Sequence, residues 1–84
     1  MKTENLKNAY EAIKNGLIID CNGCRIWAGP MCYRGGEPYG RRQAICYRHY
    51  GQSATSMSLN WLRWIMKKIA GSADYSFTVV ESIY

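Results

Sequence analysis

Five side chains of this sequence could hold a metal ion or serve as nucleophile and base: Cys21, Cys24, Cys32, Cys46 and His49. Cys21-x-x-Cys24 has the spacing of a zinc ligand pair, and Cys46-x-x-His49 follows downstream as a second pair, with Cys32 as a substitute ligand. Zinc needs the two pairs to converge. Arginine stands after Cys24, where a zinc knuckle usually has glycine to accept the turned-back chain. Cys46 and His49 are an odd number apart, so a regular strand points them to opposite faces. No metal is therefore expected, with zinc kept as the alternative. A redox Cys-x-x-Cys wants its first thiol at a helix N-terminus, and Cys21 follows a strand-like run instead. His49 as base to a cysteine is the one remaining catalytic pair, and a single histidine among aromatic residues reads as structural. The six carboxylates are scattered, and "RGGEPYG" lacks the lysine and the strand-to-helix setting of a phosphate loop. The expectation is a chain that is not an enzyme.

The elements that place these residues can be read from turns and periodicity. Between the two cysteines lies Asn22-Gly23, the residue pair of a type I′ hairpin turn. Such a turn sets Cys21 opposite Cys24, Asp20 opposite Arg25, Ile19 opposite Ile26, Ile18 opposite Trp27 and Leu17 opposite Ala28. One face then carries Leu17, Ile19, Cys21, Cys24, Ile26 and Ala28, and the other joins an ion pair to an Ile–Trp pair. A slip of one residue would spoil both faces. On this reading the cysteines are small apolar neighbours of the isoleucines.

Upstream, Leu6, Ala9, Tyr10, Ile13 and Leu17 recur at helical spacing. A helix over about residues 4–15 is expected, capped by Thr3 and stopped by Gly16 in a left-handed conformation. Downstream, Gly29 to Arg42 holds both prolines and several glycines and reads as a long connection. "QAICYRHY", Gln43 to Tyr50, reads as a third strand. "GQSATSMS" reads as a loop ending in an N-cap, Ser56 or Ser58. A second helix follows, with Leu59, Leu62, Ile65, Met66 and Ile69 as its buried stripe, Trp61 and Trp64 beside it, and Gly71 as its end. "YSFTVVESIY" alternates as a half-buried strand. The expected fold is α+β: helix-β-β-β-helix-β, a single compact domain over residues 1–84, with a mainly antiparallel sheet and both helices on one face.

Charge then selects among binding functions. Eleven Lys and Arg face six Asp and Glu, a net charge of +5. Five arginines against one glutamate lie within residues 21–50. Arginine offers a flat fork for carboxylate or phosphate. Interleaved tyrosines can stack on bases or fill protein pockets. The candidate contact residues are Tyr33, Arg34, Tyr39, Arg41, Arg42 and Arg48 in the loop and third strand, with Arg63, Trp64 and Lys67 on the outer stripe of the second helix. For Arg48 the reading stays open: it points outward if Ile45 is buried, inward if Cys46 is. No run of about 18 apolar residues suggests a membrane span, and "MKTENLKNAYEAIKNG" lacks the apolar core of a signal peptide. A cytoplasmic setting with reduced thiols is expected.

In its small size, its compact α+β domain and its lack of catalytic residues, the chain resembles the small accessory proteins of phages and prophages, a group that includes anti-CRISPR and other anti-defence inhibitors. The segment "YRHYGQSATSMSLNWLRWIMKKIAG" adds to the likeness. The resemblance implies inhibition by occupancy, with a host protein or protein–nucleic acid complex as partner. The alternative is a basic nucleic-acid-binding module, zinc-stabilised or not.

Overall fold

A computed structural model describes the backbone of residues 2–32, 38–52, 54–57 and 59–83, and the side chains of 5–29, 44–52, 54–56 and 60–83. The fold is α+β. Helix α1 (Lys2–Lys14) leads into strands β1 (Ile18–Cys21), β2 (Cys24–Cys32), β3 (Pro38–His49) and β4 (Thr55–Met57). A second helical segment over residues 59–69 and strand β5 (Thr78–Val80) complete the chain. The five strands form one antiparallel sheet in the order β4-β3-β2-β1-β5.

The hairpin around Asn22-Gly23 follows its turn chemistry. Asn22 and Gly23 both have positive φ, 51° and 86°, as a type I′ turn demands. The ladder pairs Ile19 with Ile26, Asp20 with Arg25 and Cys21 with Cys24. Asp20 accepts hydrogen bonds from the Gly23 N–H (3.2 Å) and from Arg25 Nε (2.7 Å), so one carboxylate ties the turn to the strand. Asn22 also donates its side-chain amide to the Ala70 carbonyl at 2.9 Å, pinning the turn to the end of the second helix.

Alternation along this ladder divides the sheet into two faces. Ile19, Cys21, Cys24, Ile26 and Ile45 face the helices, and they form one core with Ala9, Ala12 and Ile13 of α1 and Leu62, Ile65 and Met66 of the second helix. The other face carries Asp20, Arg25, Trp27, Cys46 and Arg48, by the pairs Asp20–Arg25, Arg25–Arg48 and Trp27–Cys46.

Cys46 is also buried, because that second face has a small apolar patch of its own. A side chain built onto Gly29 would place its Cβ 3.0 Å from Cys46 Sγ and 3.3 Å from Trp27 Nε1. Glycine there lets the indole fold down beside the thiol. Gly29→Val is expected to cost about 1–3 kcal/mol by overpacking. Thermal melts would show it, and an unchanged melting temperature would mean that the indole is free to move aside.

Helix α1 ends as its glycine requires. Gly16 has φ +83°. Its N–H donates to the Ile13 carbonyl, and the Leu17 N–H donates to the Ala12 carbonyl, the paired closure of a Schellman motif.

Several expectations are corrected. Leu17 is spent on that closure, before β1 begins, and is exposed rather than on the buried face. Thr3 lies inside α1, not at its cap, since the helix begins at Lys2. The long connection expected over Gly29 to Arg42 is largely strand: β2 runs to Cys32 and β3 starts at Pro38. Pro30, Pro38 and Gly40 mark an irregularity there instead, because the register slips between the pairs Pro30–Gln43 and Cys32–Pro38; Gly35 and Gly36 lie outside the described residues. Bulges tolerate such residues where a regular ladder does not. Ser56 is no helix cap but the middle of β4, paired with Cys46; Ser58 lies outside the described residues. The last strand is reduced to three residues, and Val79, opposite Ile19 at the sheet edge, is 54% exposed.

Tyr75 precedes that strand with φ +58° and yet is buried. A tight turn holds it. The Tyr75 N–H donates to the Ser72 carbonyl, the Ser72 hydroxyl donates to the Ser76 carbonyl, and Asp74 accepts from the hydroxyl and the N–H of Ser76. Those Ser76 bonds hold the Asp74 carboxyl below the usual carboxylate range.

Candidate interaction surface

The second helix builds an exposed aromatic and basic surface from three successive geometries. It opens as a 3₁₀ turn over Leu59–Trp61, continues as one α-helical turn over Leu62–Trp64, and widens into a π turn over Ile65–Ile69. The regular stripe expected from the sequence is thus bent in pitch. The closing bonds are correspondingly long in sequence: the Ala70 N–H reaches the Ile65 carbonyl and the Ser72 N–H the Met66 carbonyl. Gly71, at φ +72°, makes the turn that allows it. The wide turn keeps Leu62, Ile65, Met66 and Ala70 all in the buried layer.

The opposite side of this segment is left outward. Side chains three apart are neighbours on a helix surface, and across the first α-helical turn this brings Trp61 and Trp64 together. Their ring centroids are 5.7 Å apart and the planes are nearly perpendicular, at 83°. Trp61 is 47% exposed and Trp64 39%. Asn60, Arg63, Lys67 and Lys68 join them around a groove of about 290 Å³. Arg63 is steadied from below, because its Nε donates to the hydroxyl of the buried Tyr75 at 3.0 Å.

The residues expected to make contact do not gather in one place. Arg63, Trp64 and Lys67 line the groove on the helix. Arg48 lies on the far face of the sheet, opposite Arg25. The two guanidiniums hold successive carbonyls beyond β5: Arg25 Nη1 donates to Ser82 and Arg48 Nη1 to Ile83, the latter at 3.1 Å. Asp20, Gly23, Arg25, Arg48 and Tyr50 border a second depression there, of about 200 Å³. Tyr39, Arg41 and Arg42 belong to β3 by backbone, with side chains outside the described ones, and Tyr33 and Arg34 lie outside the described residues altogether. Asn60, Trp61 and Lys68 complete the groove, outside the expected set. Their place on the outer stripe, beside Trp64 and Arg63, was the signal that could have included them.

The alternative zinc set is divided by the same alternation. Cys21 and Cys24 sit in the core, with His49 opposite Cys24, while Cys46 points to the other face. Among the described residues no three His, Cys, Asp or Glu side chains come together as metal ligands; the Cys32 side chain is outside them. Burial pushes the Cys21 thiol up to about 12, with the neighbouring Cys24 and Asp20 charges adding to the effect. Burial also raises Cys24, to about 11, against a lowering hydrogen bond from the Arg48 backbone. Both thiols stay protonated at neutral pH, and a protonated thiol is a poor nucleophile.

Among the described residues no helix is long and apolar enough to cross a membrane. Comparison of the chain with protein-family models, with curated proteins and with solved structures returns no match.

Proposed function

We propose that this chain works by binding a protein and not by catalysis, as a small cytoplasmic inhibitor or adaptor of the phage anti-defence kind. Its target would be a host nuclease or surveillance complex. The observation that carries the reading is the Trp61–Trp64 corner, exposed on a helix and flanked by Arg63, Lys67 and Lys68. Tryptophan and arginine are the side chains most enriched where protein interfaces concentrate their binding energy. Much of each indole stays open to solvent and available to a partner. The protonated state of Cys21 and Cys24 supports a role without covalent chemistry.

The test is capture of a stoichiometric partner from nuclease-treated host lysate, repeated with Trp61→Ala and Trp64→Ala. Each truncation is expected to weaken the complex by about 2 kcal/mol or more, roughly 30-fold, in a variant whose thermal melt remains cooperative. A partner held equally well by both variants would move the interface elsewhere. A partner lost on nuclease treatment would favour the nucleic-acid module, whose affinity should then fall steeply with salt.

A further inference from the structure

We infer that the Trp61–Trp64 corner receives one large apolar side chain from an acidic peptide segment, whose carboxylates pair with Arg63, Lys67 and Lys68. This rests on the protein-binding reading above and specifies the partner's chemistry. Three properties of the groove lead to it.

Size is the first. About 290 Å³ is at the lower limit of pockets that enclose a small molecule, so the groove suits a side chain rather than a whole cofactor. Shape is the second. Rings at 83° and 5.7 Å form a corner in which the edge of one meets the face of the other. Successive bases stack on open, sequential ring faces, and a corner of this kind obstructs one of them. A branched aliphatic or aromatic side chain can instead touch both rings. Charge is the third. Three cations border the groove, and none of Asn60, Trp61 or Trp64 carries a negative charge against them. With Nε held by the Tyr75 hydroxyl, the remaining donors of Arg63 are its two Nη groups. The bond also fixes the plane of the fork, so less side-chain entropy is lost when a carboxylate docks.

The probe is a blocked peptide with a central leucine flanked on each side by glutamates. Its binding to the full chain is followed through the indole N–H resonances of Trp61 and Trp64. Saturable shifts of both are expected. Affinity should fall at least tenfold when the leucine is replaced by alanine, when lysines replace the glutamates, and in Trp64→Ala. Lys67→Glu with Lys68→Glu should reverse the preference, so that the lysine-flanked peptide binds better. Binding that does not depend on the leucine would overturn the inference, since it would be charge attraction alone. Tighter binding of an oligothymidine at the same resonances would overturn it in favour of nucleic acid. No shift at millimolar peptide, with a lysate partner still dependent on Trp64, would sink the acidic-anchor inference and leave the protein-binding reading standing. A partner indifferent to both tryptophans would remove the two together.

Discussion

Truncation of Ile26 to alanine is expected to lower the free energy of unfolding by about 2–5 kcal/mol. Ile26 is fully buried, with Ile19 opposite on β1 and Tyr47 opposite on β3. It lies in the single core that joins the sheet to both helices. A chain of this length has roughly 4–12 kcal/mol of stability in total, so the loss is a large fraction of what holds the fold. The milder Ile26→Val should lose about 0.5–1.5 kcal/mol. Urea melts followed by far-ultraviolet circular dichroism give both values, with an unchanged dependence on urea. A loss under about 1 kcal/mol for alanine would show that the helices do not press on this strand.

The second large effect is a loss of stability in alkali. An unfolded thiol ionises near pH 9.0, whereas Cys21 and Cys24 in the fold are raised to about 12 and 11. Below pH 9 both states keep their protons and the fold has its full stability. Above it, the unfolded chain releases protons that the native core retains, so unfolding becomes progressively easier. The loss is about 1.4 kcal/mol per pH unit for each thiol, and it levels off as the folded values are passed. Between pH 8.5 and 10.5 the free energy of unfolding should fall by about 2–4 kcal/mol, measured in reducing buffer. Replacing both residues, Cys21→Ala with Cys24→Ala, should flatten most of that slope. Tyrosine ionisation is common to the two chains and cancels in the comparison. Equal slopes would mean that water reaches the thiols.

Where a local rule was strict, the sequence was readable. A two-residue turn allows one register, and so Asn22-Gly23 was enough to pair Asp20 with Arg25 and to turn the cysteines into the core. Gly16 and Gly71 were readable for the same reason, as left-handed residues that end a helix. Gly29 to Arg42 misleads because prolines and glycines usually interrupt strands, and here Pro30, Pro38 and Gly40 sit at or beside a bulge. Strand β4 carries little apolar patterning of its own; it is held by pairing to β3, which no local signal reveals. Arg48 could not be oriented because Ile45 and Cys46 are both buried, one under the helices and one beneath Trp27 on a second face that alternation alone does not anticipate.

The candidate surface was legible in part. Arg63, Trp64 and Lys67 are legible as neighbours, since an outer helical stripe stays together whatever the helix packs on. Whether the tryptophans were core or surface depended on pitch. A 3₁₀ turn followed by a π turn rotates side chains away from the positions of a regular helix, and the sequence has no proline or glycine within Leu59–Ile69 to announce the change. The separation of Arg48 from Arg63, Trp64 and Lys67 is not legible, because its direction depends on whether Ile45 or Cys46 is buried; the sheet stands between them.

The place of β1 between β2 and β5 has a consequence for synthesis. Ile18 pairs with Val80, so one edge of β1 waits for a segment about 60 residues later in the chain. The hairpins of β1 to β4 need only near neighbours and can close as they leave the ribosome. Their apolar face and the free edge of β1 stay uncovered until the second helix and then residues 78–80 emerge, about 3–12 s after Cys21 at ordinary translation rates. During that interval the nascent chain offers both features that promote association between chains, an open strand edge and bare isoleucines. A ribosome that stalls before residues 78–80 are made would therefore hold an adhesive chain, because the outer edge of β1 is sealed only by that segment.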